Sequence, residues 1–189
     1  MLPCGLADGN RLDHGCAFRS HHLLEGELRI VAQLRTTVGQ STDGPMVMKL
    51  VIGNKNYSSW SMRPWLALRV ADIPFDEIFI PLYTGDADKR RLLEFSPAGK
   101  VPILVDGAMT VWDSLAILEY LAERFPEKRL WPEEAKQRAH ARSISAEMHS
   151  GFAALRNECG MNLHRPVRAI ALSNEARVDI SRIQEIWSA

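Results

Sequence analysis

The run "PILVDGAMTVW", residues 102–112, constrains this chain more than any other stretch. Two apolar, β-rich segments flank Asp106-Gly107, a dipeptide suited to the centre of a two-residue type I′ turn. The pattern predicts a β-hairpin from "PILV" and "AMTVW". Upstream, "MKLVIG" and "FDEIFIPL" read as two further strands, each short and bounded by turn residues. Between them, Met62, Trp65, Leu66 and Val70 recur at helical spacing in "SMRPWLALRVAD", where Pro64 is tolerable only in the first turn. "DADKRRLLEF" predicts a short helix whose Lys89, Arg90 and Arg91 face solvent. "DSLAILEYLAERF" predicts another, with Leu115, Ile117, Leu118, Leu121 and Phe125 on one face and Asp113 or Ser114 as its cap. The order β-α-β-α-β-β-α is a complete small α/β unit over residues 48–126.

The flanks differ. Residues 1–47 mix Gly, His, Arg and Ser around one brief apolar patch, "LLEGELRIVAQL", and are expected to be a disordered leader. Cys4, Cys16, His21 and His22 match no zinc-binding spacing, so no metal is expected. Past the linker "RLWPEE", residues 133–159 run helical without proline, "LHRPV" interrupts, and "SNEARVDISRIQEIW" is a last helix starting at Ser173 or Asn174. Two helices enclose little core, so 133–189 is expected to be a partial all-α domain. His140, His149 and His164 read as surface or packing residues, Cys159 as a buried small residue, and Trp65 and Trp112 as core. Lysine plus arginine and aspartate plus glutamate number 23 each, which gives no global pull toward nucleic acid or an anionic membrane. The first residues lack a basic, then apolar, secretory pattern. No apolar run approaches the ~18 residues of a membrane span. The expected home is the cytoplasm.

Three stretches narrow the α/β unit. "SSWSMRPWLAL", "SPAGKVPILVDG" and "WDSLAILEYLAERFPE" resemble, in order and separation, the glutathione S-transferases, with the serine-containing zeta, tau and theta-like classes, in bacterial form, nearer than the tyrosine classes. The resemblance implies a thioredoxin-like N-terminal domain that binds glutathione, followed by a helical domain of which later helices are absent here. It implies a glutathione transferase in which a serine hydroxyl stabilises the glutathione thiolate for attack on a small electrophile, and a homodimer if the helical part folds. A free thiol titrates near about 8.5, so a donor to sulfur and a nearby helix N-terminus are what such an enzyme needs.

Residue by residue, the resemblance puts Ser58 at the catalytic serine, with Ser59 as second candidate, Tyr57 behind both, and Ser61 as the better-placed helix cap. All three serines also suit plain capping. Trp60 stands where some members carry a cysteine, which argues against disulfide chemistry. Val101-Pro102 matches the family's cis-proline segment, where the Val101 backbone would pair with the cysteinyl unit of glutathione. Lys100 would meet the glycyl carboxylate. Ser114, at a helix N-terminus, would receive the γ-glutamyl carboxylate while Asp113 pairs with its amino group. The alternatives are a non-catalytic glutathione-binding or protein-interaction module of the same fold, or an inactive truncated product.

Overall fold

The computed structural model describes residues 47–188. The expected leader 1–47, with its apolar patch and its cysteine and histidine group, lies outside them apart from Val47. The element order is β1 (Met48–Ile52), α1 (Ser59–Val70), β2 (Phe75–Phe79), α2 (Asp86–Phe95), β3 (Ile103–Asp106), β4 (Met109–Trp112) and α3 (Ser114–Arg124). A 3₁₀ turn (Pro126–Lys128) leads to α4 (Ala135–Ser150), α5 (Ala153–Glu158) and α6 (Asn174–Ser188). The expected β-α-β-α-β-β-α order is observed.

The sheet runs β2-β1-β3-β4, with β1 parallel to β2 and antiparallel to β3, and β3 antiparallel to β4. Alternation in β1 divides the core between two faces. Met48, Leu50 and Ile52 point to one side, where they meet Leu68 of α1 and Ile117 and Leu121 of α3. Val51 points to the other, with Ile103, Ile80 and Leu92 of α2. Leu50, Val51, Ile103 and Leu104 are fully buried, so the central two strands are covered on both faces.

The hairpin departs from expectation by one residue. Asp106 pairs with Met109, so Gly107 and Ala108 are the central pair instead of Asp106 and Gly107. Gly107 has φ 61° and Ala108 is not among the positive-φ residues, the sign pattern of a turn with glycine first, as in type II′. Tertiary contacts account for the register. Tyr120 of α3 donates its hydroxyl hydrogen to Asp106 Oδ2 at 2.6 Å, and Arg124 Nε stands 3.7 Å from the same oxygen, which keeps Asp106 in the strand.

Three other expectations are corrected. Pro64 lies in the second turn of α1 rather than the first, so the Trp60 carbonyl gives up its helical partner. The helix expected over 133–159 breaks at Gly151 and Phe152, the latter in left-handed conformation at φ 62°. Cys159 is exposed rather than buried. Beyond Leu121, Phe152 and Ala176 are the only described residues that are buried. Polar links tie the helices together instead: Trp131 and Arg142 to Glu119 of α3, Arg182 of α6 to Glu147 of α4, and the Leu155 N–H of α5 to Asp179 of α6. No described helix is long and apolar enough to cross a membrane.

Candidate functional site

The loop after β1 is organised by Asn54. Its carbonyl accepts from the Ser58 N–H at 2.8 Å, and its side-chain oxygen accepts from the Leu82 N–H at 2.8 Å, tying the loop to the strand end beyond β2. This folding brings three serines to the start of α1. Ser58 occupies the N-cap position, but its side chain does not cap. It donates to Ser61 Oγ at 2.9 Å, and that oxygen also accepts the Gly53 N–H at 3.1 Å. Ser61, expected as the cap, therefore sits inside the first turn and reaches back to the end of β1. Ser59 is the first helical residue and is half-buried.

Ser58 opens on a cleft of about 700 Å³ that Tyr57, Trp60, Tyr83, Lys100 and Val101 also line. Ser59 is not among its lining residues. Tyr57 stacks on Tyr83 with ring centroids 6.2 Å apart and donates its hydroxyl hydrogen to the Leu82 carbonyl at 3.3 Å. A second cleft of about 330 Å³ is lined by Trp60, Lys100, Val101, Pro102, Asp113 and Ser114, together with Trp112 and His149. Trp60, Lys100 and Val101 border both clefts, so all seven candidate residues except Ser59 fall on one connected strip of surface. The Val101–Pro102 peptide bond is cis.

At the far end of the strip, α3 begins. Asp113 is its N-cap, with φ 76° and ψ 134°, and its Oδ1 accepts the Leu115 N–H at 2.8 Å. Ser114 is 1% exposed and its hydroxyl has no hydrogen-bond partner. A buried hydroxyl without a partner is costly, and a helix N-terminus favours an anion in front of it. The two facts together mark a place for an acceptor that the protein itself does not supply.

Trp60 joins the two clefts under a cationic cover. Arg63 and Arg156 lie over its ring at 4.2 and 4.8 Å from the centroid, and His149 meets it edge-on at 5.2 Å. Half-burial lowers the Arg63 pKa, the nearby Arg156 lowers it further, and Asp113 opposes both. Among the described residues no cluster of three His, Cys, Asp or Glu side chains is placed to hold a metal ion.

Two residues of the strip were missed by sequence reasoning. Trp112 was expected in the core but is 47% exposed and walls the second cleft. The strand alternation around it offered a signal, since Val111 packs on the core and its neighbour must point away. His149 was read as a surface or packing residue, yet its Nε2 lies 3.2 Å from Asp113 Oδ2. Nothing local in "EMHSGF" could have paired it with the start of α3.

Residues 57–124 match the family model for the glutathione S-transferase N-terminal domain. The chain is similar to a probable maleylacetoacetate isomerase of Caenorhabditis elegans, at 39% identity over 53% of this chain and 46% of the relative. It is also similar to a zeta-class glutathione S-transferase of Euphorbia esula, at 30% identity over 65% of this chain and 54% of the relative. The chain thus spans about half the length of the curated relatives it matches. A glutathione transferase homologue from Burkholderia, solved with bound glutathione, shares the fold at a TM-score of 0.56 and 22% identity, over 74% of this chain and 65% of that one. At 74% of this chain, the likeness takes in residues beyond the α/β unit. Over residues 57–124, then, the chain carries a glutathione S-transferase N-terminal domain.

Proposed function

We propose that the strip from Ser58 to Ser114 binds glutathione and that the chain acts as a glutathione-dependent transferase. The glutathione thiol lies by Ser58, whose hydroxyl donates to the sulfur and holds it as a thiolate ready to attack a small electrophile. Ser58 is preferred to Ser59 because it borders the larger cleft. The Val101 backbone pairs with the cysteinyl unit in the manner of an added strand. Lys100 meets the glycyl carboxylate. Ser114 and the first turn of α3 receive the γ-glutamyl carboxylate, and Asp113 takes the amino group.

One observation carries this reading: the buried, unpartnered Ser114 hydroxyl at the head of α3, on the same strip as Lys100 and Val101. The name of the zeta-class relative, and the glutathione bound to the Burkholderia homologue, support the same ligand.

Ser114→Ala separates ligand binding from stability. Removing a hydroxyl that has no partner leaves the thermal midpoint unchanged or raises it, because no hydrogen bond is lost. Losing a hydrogen bond to a carboxylate weakens retention by about 10- to 100-fold. The full chain is applied to immobilised glutathione, eluted with free glutathione, and assayed with an aryl halide. Equal retention of parent and Ser114→Ala would refute the assigned pose. Retention without turnover would leave a binding module of the same fold.

A further inference from the structure

We infer that His149 is a positioning residue of this site, supplied by the helical part: it fixes the Asp113 carboxylate in the orientation that meets the ligand's amino group. The inference rests on the glutathione reading above for its ligand, and on the following geometry for the residue itself.

Asp113 has the positive φ that side-chain-bearing residues rarely adopt, a conformation that persists only where the surroundings hold it. Two donors do so. The Leu115 N–H takes Oδ1 at 2.8 Å, and His149 Nε2 stands 3.2 Å from Oδ2. One oxygen is hydrogen-bonded and the other lies within ion-pair reach of the imidazole, while the side chain stays 47% exposed and keeps lone pairs open to the cleft. A carboxylate oxygen facing Nε2 requires the proton on that nitrogen. The other nitrogen, Nδ1, is buried and without a partner, so the ring has no competing polar contact to turn toward.

The His149 ring is itself held in place. It lies in the last turn of α4, edge-on to Trp60. Arg156 closes that turn by donating from Nε to the Gly151 carbonyl at 3.0 Å and from Nη2 to the Met148 carbonyl, while its guanidinium covers one face of Trp60. A path of direct contacts therefore runs from α5 through Arg156, Trp60 and His149 to Asp113. Glutathione affinity then depends on the end of α4, although the residues assigned to the ligand all belong to the α/β unit.

The test compares the full-length parent, His149→Ala, His149→Gln and Asp113→Asn by calorimetric titration with glutathione, with ring ¹⁵N spectra of His149 recorded without ligand. His149→Ala is expected to raise Kd by about 3- to 10-fold, the loss of one partly exposed charge-assisted hydrogen bond. Glutamine places an amide N–H where Nε2 stood, so His149→Gln restores the parent Kd to within about 2-fold. In the Asp113→Asn background His149→Ala adds nothing further, as coupled residues require. Parent-like affinity in His149→Ala, or failure of glutamine to restore it in a variant with an unchanged melting curve, overturns the inference. The ligand-free spectra decide independently of glutathione. Nε2 resonances that move in Asp113→Asn support the hydrogen bond, and unmoved resonances refute it. If the parent binds no glutathione, the proposed function fails while the spectra still judge the role of His149.

Discussion

Replacing Ser61 by alanine removes one hydroxyl that serves two groups. Ser61 is 3% exposed, accepts the buried Gly53 N–H at 3.1 Å and is bonded to Ser58 Oγ at 2.9 Å. Alanine leaves the Gly53 N–H without an acceptor, a cost of about 1–3 kcal/mol. For a chain of this size that lowers the thermal midpoint by about 3–10 °C. The functional effect follows from the direction of the hydroxyl protons. Without ligand, Ser58 donates to Ser61. When a thiolate arrives, the Ser58 proton turns to the sulfur, and Ser61 can reverse and donate to Ser58 while still accepting from Gly53. Gly53 N–H, Ser61 O–H and Ser58 O–H then all point toward the sulfur, and each bond polarises the next. Ser61→Ala breaks the chain at its middle and is expected to raise the pKa of bound glutathione by about 0.5–1 unit. The assays are thermal melts by circular dichroism and titration of the thiolate's ultraviolet absorbance in the complex. A melt within about 1 °C of the parent would show that the Gly53 N–H does not depend on Ser61, and an unmoved thiol pKa would refute the relay.

Ser58→Ala should raise the bound thiol pKa by about 1–2 units, while Ser59→Ala leaves it within about 0.3 units; the reverse order would move the donor role to Ser59. Glu77 gives an acid limb to stability. Partial burial alone would push its carboxyl up, but donors Lys55 (2.6 Å), Trp65 (2.7 Å) and Arg69 (2.9 Å) outweigh it and hold the pKa at about 2. Because the folded value lies below the ordinary 4.5, this stabilisation is complete above pH 4.5 and lost as pH falls toward about 2. Glu77→Gln should flatten the urea-unfolding free energy across that window, and an unchanged slope would count against it. Gly107→Ala places a side chain at φ 61° and should cost about 1–2 kcal/mol by the same measurement, with Gly107→Asn milder.

Local rules went far along this chain because its α/β unit obeys them. Periods of two and near 3.6 placed four strands and three helices, and the caps at Asp113 and Ser173 follow from short polar side chains beside orphan N–H groups. The motifs around Ser58, Val101 and Ser114 each sit at an element boundary, so their positions could be read before any packing was known. The missed features are non-local. The hairpin register turned on Tyr120 and Arg124 reaching Asp106 from α3, against the local preference of Asp106-Gly107 for the turn centre. Ser61 was drawn from capping to the Gly53 N–H, a bond across eight residues that no cap rule contains.

The sequence by itself determined the order of elements and which short stretches could carry chemistry, since each depends on side chains within a few residues of one another. Only the tertiary structure decided which of those stretches share a surface. Packing of α3 on the sheet buried the Ser114 hydroxyl without a partner. Packing of α4 beside α3 brought His149 to Asp113, a contact set by how two helices meet and written in neither helix alone.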